Sequence, residues 1–188
     1  GSCRVEARLD GWRAIGRAAR ARTSARVVAV TGRVGKPGTQ VALRACLSRL
    51  GATHAAEKSF NNHWGVPLTL ARLPAGAAYG VFEIGMNHAG EIEPLTRLVR
   101  PHVAIVTTVE PVHLEFFASV EAIAEAKAEI FAGLEPGGTA IINRDNPHFA
   151  LLAERAAKHG ARIVPFGLHE DADVRAHVWE LGPAGSDI

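Results

Sequence analysis

At 188 residues, 47% hydrophobic and 21% charged, the chain is long enough for one domain with a substantial core. A formal charge of +2 gives no general case for nucleic-acid binding, and no apolar run approaches the length of a membrane span. Cys3 and Cys46 lie apart without CxxC spacing, which fits a reducing cytoplasm rather than a disulfide framework.

The basic excess is local. Arg4, Arg8, Arg13, Arg17, Arg20, Arg22 and Arg26 are set against only Glu6 and Asp10. Arginine-rich, acid-poor starts occur in transit peptides, but Leu9, Trp12, Ile15 and Ala19 recur at helical spacing. Residues 1–25 are therefore read as a basic helix and linker, ahead of a main domain over 26–188. Arg26 to Val30 reads as a buried strand. A glycine-rich turn over 32–38 follows, then a helix from about Gln40 to Leu50, stopped at Gly51.

The segment Phe60-Asn61-Asn62-His63-Trp64-Gly65-Val66-Pro67-Leu68-Thr69 is polar, aromatic and glycine-bearing, and reads as a substrate loop. Tyr79–Ile84 is a strand, Glu91–Arg100 a helix ended by Pro101, and His102–Thr107 a third strand. Ser119 is a candidate N-cap for a helix running through Phe131, without the glutamate of a full capping box. Thr139–Ile142 is a strand, Pro147–His159 a helix and Arg162–Pro165 a strand. Val174–Trp179 alternates like an antiparallel edge hairpin. Strands alternating with helices predict an α/β, three-layer, mostly parallel sheet, whose ligands gather at the carboxyl ends of the strands.

Unusual polar residues fall at those ends. Thr31-Gly32-Arg33-Val34-Gly35-Lys36 joins a strand to a helix, the setting of a P-loop-type nucleotide site. There, glycines let backbone N–H groups face phosphates while lysine and the helix N-terminus add positive potential. A tight strand–helix turn is the plainer reading of the same residues. The pattern GxxxxGK[ST] is not met, because Val30 takes the first glycine position and Pro37 the hydroxyl position, next to Gly38. Proline suits a first helical turn but supplies neither a metal-binding hydroxyl nor an N–H. Glu83, late in its strand, is placed to hold Mg²⁺ or is an ordinary strand-end glutamate. His113 follows the third strand. Lys127 stands inside the inward stripe of Val120, Ile123, Ala124, Ile130, Phe131 and Leu134; it either snorkels, is chemically altered, or pairs with an anion. Asn143, at the end of a strand, is a turn former or reads a base edge.

Together TGRVGK, SFNNHWGVPLTL, FEIGMNHAGEI, VEPVHLEFF, AKAEIF and INRDN, in that order, resemble the central ATP-binding domain of the Mur ligases over about residues 26–168. NNHWGVPLTL and EIGMNHAGEI resemble the D-alanyl-D-alanine-adding branch. The resemblance implies an ATP-dependent C–N ligase of cytoplasmic peptidoglycan precursor synthesis, monomeric at full length. Its substrates would be UDP-N-acetylmuramoyl-tripeptide and D-alanyl-D-alanine, joined through an acyl phosphate. It implies that Lys36 and the loop Thr31–Gly38 hold ATP, that Glu83 and His113 ligate Mg²⁺, and that Lys127 is a carbamate. Asn143 would contact adenine, Asn61 and Asn62 the UDP-muramoyl peptide, and Asn87 and His88 the reacting carboxylate. Arg33, Pro37 and Gln40 depart from the family pattern. The family's UDP-binding and carboxyl-terminal domains are expected to be missing, which leaves this chain alone inactive in ligation. A non-catalytic module with a decayed nucleotide site is the competing reading; another P-loop phosphotransferase is a third, opposed by the Asn-Asn-His-Trp segment.

Overall fold

The computed structural model describes residues 2–56, 60–111, 117–176, 180–182 and 185–187. Helix α1 (Ser2–Ala21) precedes β1 (Arg26–Thr31), α2 (Lys36–Leu47), β2 (Thr53–Ala55), α3 (Gly65–Ala71) and β3 (Tyr79–Glu83). Then come α4 (Ile92–Val99), β4 (Val103–Val106) and α5 (Val120–Ala128), which tightens into a 3₁₀ segment (Glu129–Gly133). The chain continues through β5 (Thr139–Asn143), α6 (Phe149–Lys158), β6 (Arg162–Gly167) and β7 (Val174–Arg175). These seven strands form one sheet in the order β2-β3-β1-β4-β5-β6-β7, with every neighbouring pair parallel. A separate antiparallel pair joins β8 (Glu180–Gly182) to β9 (Gly185–Asp187).

Because a parallel sheet is covered on both faces, its strands are apolar throughout. Val27, Ala29, Phe82, Val106 and Ile142 pack on one face with Leu70 of α3, Leu95 of α4, Ile123 of α5 and Leu152 of α6. Val28, Val30 and Ile105 pack on the other, with Leu43 of α2. Three layers follow, as the sequence predicts. Burying a side chain such as Phe82 or Phe131 contributes about 1.5–3 kcal/mol each. From β1 the chain moves out to β2 and returns through β3, whereas from β4 it moves the other way to β5. That reversal makes a switch point at the carboxyl ends of β1 and β4, where ligands of such sheets bind.

Ser119 caps α5, its Oγ accepting from the Ala122 N–H at 3.1 Å. Elsewhere the structure corrects the sequence reading. Helix α2 begins at Lys36 rather than Gln40, since Pro37 fits its first turn. The segment read as a substrate loop folds into α3 from Gly65 onward. The reason is Asn62, whose Oδ1 accepts from the N–H groups of Trp64 and Gly65 and starts the helix. Val174–Arg175 pairs parallel with Phe166–Gly167, not antiparallel. Asp145 accepts from the N–H groups of Leu168 and His169 and fixes the intervening turn, which brings the chain back in the same sense.

Helix α1 also turns a different face inward. Ile15 is 52% exposed, while Gly16, Ala19 and Arg20 are buried. A Cβ on Gly16 would stand 3.2 Å from the Pro67 carbonyl of α3, so the missing side chain permits the close approach that decides the face. Buried Arg20 is satisfied by backbone: its Nε donates to the Val99 carbonyl at 2.8 Å and its Nη2 to Arg100 at 2.9 Å, at the end of α4.

Candidate functional site: a cationic cavity at the phosphate loop

The loop after β1 needs glycine twice. Gly32 has φ 142° and Gly35 φ 87°, and a Cβ on Gly32 would collide with the Thr107 hydroxyl. The end of β4 holds this loop from the other side of the switch point. Thr107 Oγ1 donates to the Val34 carbonyl at 2.7 Å, and the Arg33 N–H donates to the Thr108 carbonyl at 3.0 Å. Lys36 closes the loop on itself, Nζ donating to the carbonyls of Gly32 at 2.8 Å and Arg33 at 3.3 Å. Burial, opposed by Glu83 and assisted by Arg33, draws the Lys36 pKa below its ordinary value.

Glu83 ends β3 beside Val30 of β1 and is 3% exposed. Its Oε1 accepts from Asn61 Nδ2 at 2.7 Å, and the Asn61 carbonyl accepts from the Gly85 N–H at 2.8 Å. Asn61 is thus fixed between a carboxylate and the start of the 85–91 turn. In that turn Glu91 accepts from the Asn87 N–H at 2.7 Å and pairs with His88 Nδ1 at 3.0 Å. Burial would raise the Glu91 pKa, but the Asn87 and His88 hydrogen bonds outweigh it and the net direction is down.

A cavity of about 540 Å³ opens between these parts. Gly32, Arg33, Lys36, Asn61, Asn62, Asn87 and Lys127 line it, all singled out from the sequence. Arg13, Met86 and Glu91 line it as well and were not, while His63 falls in the segment read as a substrate loop and Ile123 in the apolar stripe. Lys127 is 5% exposed, as its position in the apolar stripe predicts, and makes no hydrogen bond or ion pair with any described residue. Burial first, then the Lys36 and Arg33 cations, draw its pKa from 10.5 to about 8.

Not every candidate converges there. Thr31, Val34, Gly35, Pro37 and Gly38 shape the loop behind the cavity wall, with the Thr31 hydroxyl buried and unpartnered among the described residues. Glu83 stands behind Asn61, and His88 turns to Glu91. Asn143 lies two strands from β1, its Oδ1 accepting from the Asp145 N–H at 2.9 Å. His113 lies outside the described residues. Sequence reasoning also missed Glu129, whose carboxylate accepts from the N–H groups of Gly90 (2.6 Å), Ile92 (3.0 Å) and Glu93 (3.1 Å). It ties the helix that carries Lys127 to the turn that carries Asn87. AKAEIF contains that glutamate, but nothing local says what it caps.

The family model for the Mur ligase middle domain matches residues 30–188. The UDP-N-acetylmuramoyl-tripeptide–D-alanyl-D-alanine ligase of Escherichia coli K12 is 45% identical over 127 residues, 68% of this chain and 28% of that protein. The ligase of the same name from Rickettsia prowazekii is 41% identical over 127 residues, again 68% of this chain and 28% of that protein. Among solved structures, MurF from Acinetobacter baumannii superposes with a TM-score of 0.86 at 33% identity, covering 95% of this chain and 41% of that one. MurF ligase from Thermotoga maritima in complex with ADP gives 0.84 at 26% identity, covering 95% and 40%. The chain therefore spans under a third of the length of the two curated relatives.

Proposed function

We infer the function from one premise: this chain belongs to the Mur ligase family, whose middle-domain model it matches over most of its length. We propose that it is the ATP-binding middle portion of a cytoplasmic ligase that joins D-alanyl-D-alanine to UDP-N-acetylmuramoyl-tripeptide. No helix of the described residues is long and apolar enough to cross a membrane. The observation that carries the reading is the convergence of Lys36, Asn61 and buried Lys127 on one cavity at a sheet switch point.

In the proposed reaction a carboxylate oxygen of the tripeptide attacks the γ-phosphorus of ATP as the bond to the ADP oxygen breaks. The amine of D-alanyl-D-alanine then attacks the acyl carbon, loses a proton, and phosphate leaves. Lys36 exchanges its two loop carbonyls for phosphate oxygens, which accept more strongly from an ammonium. Asn61, held by Glu83 and the Gly85 N–H, presents a fixed amide to the substrate. Asn62 and Asn87 flank it, His88 is oriented by Glu91, and Asn143 is assigned to the adenine.

Divalent metal, when bound, neutralises phosphate charge and orients the transfer. Glu83, His113 and a carbamate on Lys127 are the proposed ligands. Buried Glu83 fits that role, and a lysine with a pKa of about 8 has the neutral amine fraction that carbamate formation requires. The loop does not fit: at residue 37, proline offers no hydroxyl.

The test is calorimetric titration of the chain with a non-hydrolysable ATP analogue beside a Lys36→Ala variant. Binding that disappears in the variant is the expected result. A folded chain that binds no analogue would leave a second reading, a non-catalytic module, which Pro37 favours.

A further inference from the structure

The cavity wall carries more basic than acidic side chains. Arg13, Arg33, Lys36 and Lys127 face it against Glu91, which is already engaged by Asn87 and His88. Lys127 is 95% buried on the 5% exposure given above, and no described residue offers it an acceptor or a counter-charge. A buried ammonium in that position is costly unless an anion joins it. The loop, meanwhile, offers a cation no hydroxyl at residues 37 and 38. Pro37 has no hydroxyl and Gly38 has no side chain, while Thr39 stands about 200° further round α2 than residue 37, its hydroxyl near Gly35.

We propose that this site binds a polyphosphate chain without a loop-bound metal, the guanidinium of Arg33 supplying the charge that a divalent cation would otherwise bring. The proposal rests on the nucleotide reading above and deepens it. Arg33 follows Gly32 at the cavity wall, its backbone fixed by the Thr108 carbonyl, while its side chain makes no hydrogen bond or ion pair with described residues. A guanidinium stays charged at any working pH and can take two phosphate oxygens side by side. Lys36 and Lys127 lie on the same wall. Like charges gathered on one wall repel, a repulsion that an anion between them would relieve. In this metal-free state Lys127 remains an ammonium; the carbamate belongs to a separate, metal-loaded state.

The experiment uses the full chain, checked for fold by circular dichroism. It is titrated with a non-hydrolysable ATP analogue and with inorganic tripolyphosphate, each in EDTA and in Mg²⁺. Both probes are expected to bind in EDTA as well as in Mg²⁺. Arg33→Ser should weaken binding in EDTA by roughly ten-fold or more, and Arg33→Lys should recover part of it. Arg33→Ser combined with Pro37→Thr should make binding depend on Mg²⁺. Binding of the wild-type chain only in Mg²⁺ would overturn the proposal and leave the nucleotide reading standing. An Arg33→Ser chain that binds as tightly as wild type in EDTA would also overturn it. If the folded chain binds neither probe under any condition, both fall. Tripolyphosphate bound without the analogue would uphold the anion site and remove the nucleotide from it.

Discussion

Replacing Lys127 by methionine should make the chain more stable at neutral pH, an unusual outcome for a substitution in a functional cavity. The wild-type ammonium is drawn to about 8 by burial and by Lys36 and Arg33, against an ordinary 10.5 for an unfolded lysine. At about 1.36 kcal/mol per pH unit, that gap corresponds to about 3 kcal/mol of lost stability wherever the lysine is protonated in both states. For a chain of this length the variant should melt about 6–12 °C higher. The sign follows from proton counting. Below pH 8 the folded and unfolded chains both carry the proton, and the penalty is complete. Between about 8 and 10.5 the folded chain releases it while the unfolded chain keeps it, so wild-type stability climbs toward that of the variant. Thermal melts of both proteins from pH 7 to 10.5, in metal-free buffer depleted of carbon dioxide, would follow the gap closing. A variant no more stable than wild type at pH 7, or a gap that stays constant to pH 10.5, would refute the reasoning.

Two further substitutions probe what surrounds the cavity. Glu129→Ala removes the acceptor of three N–H groups at the start of α4 and should cost about 2 kcal/mol, with Glu129→Gln costing less because one oxygen remains. Urea midpoints at an unchanged slope would measure this, and an alanine variant with the wild-type midpoint would show that the cap contributes nothing. Gly133→Ala places a Cβ against the backbone carbonyl of Thr96, forcing α4 away from the 3₁₀ segment; about 1–3 kcal/mol should be lost. An unaltered urea midpoint for that variant would mean that the two segments are not closely packed in solution.

Features carried by neighbouring residues were readable from the sequence. The β1 apolar run, the glycines and lysine of the loop, Ser119 as a cap and the burial of Lys127 each depend on a short local pattern, and the structure reproduces each of them. Features made by encounters across the fold were not. Arg13 reaches the cavity from a helix whose packing face is set by Gly16, a residue that an apolar-periodicity reading passes over. Thr107 reads as the end of a strand, with Thr108 just beyond it, and only the β1–β4 pairing brings them to the loop. Glu129 caps a helix that starts 37 residues earlier, a distance no local motif spans. Val174 alternates as an edge strand should, and alternation carries no information about direction.

Helix α1 lies outside the strand–helix alternation and before the stretch that the family model matches, yet Arg20 closes the carbonyl end of α4 and Arg13 enters the cavity wall. A shortened version beginning at Arg26 would keep all seven strands of the main sheet. It would nevertheless uncover Leu70 on α3, leave two carbonyls without their donor and remove one cation from the cavity wall. Anyone trimming this protein for expression or crystallisation should therefore cut ahead of the helix, because the smallest piece that preserves the topology is smaller than the piece that preserves the chemistry.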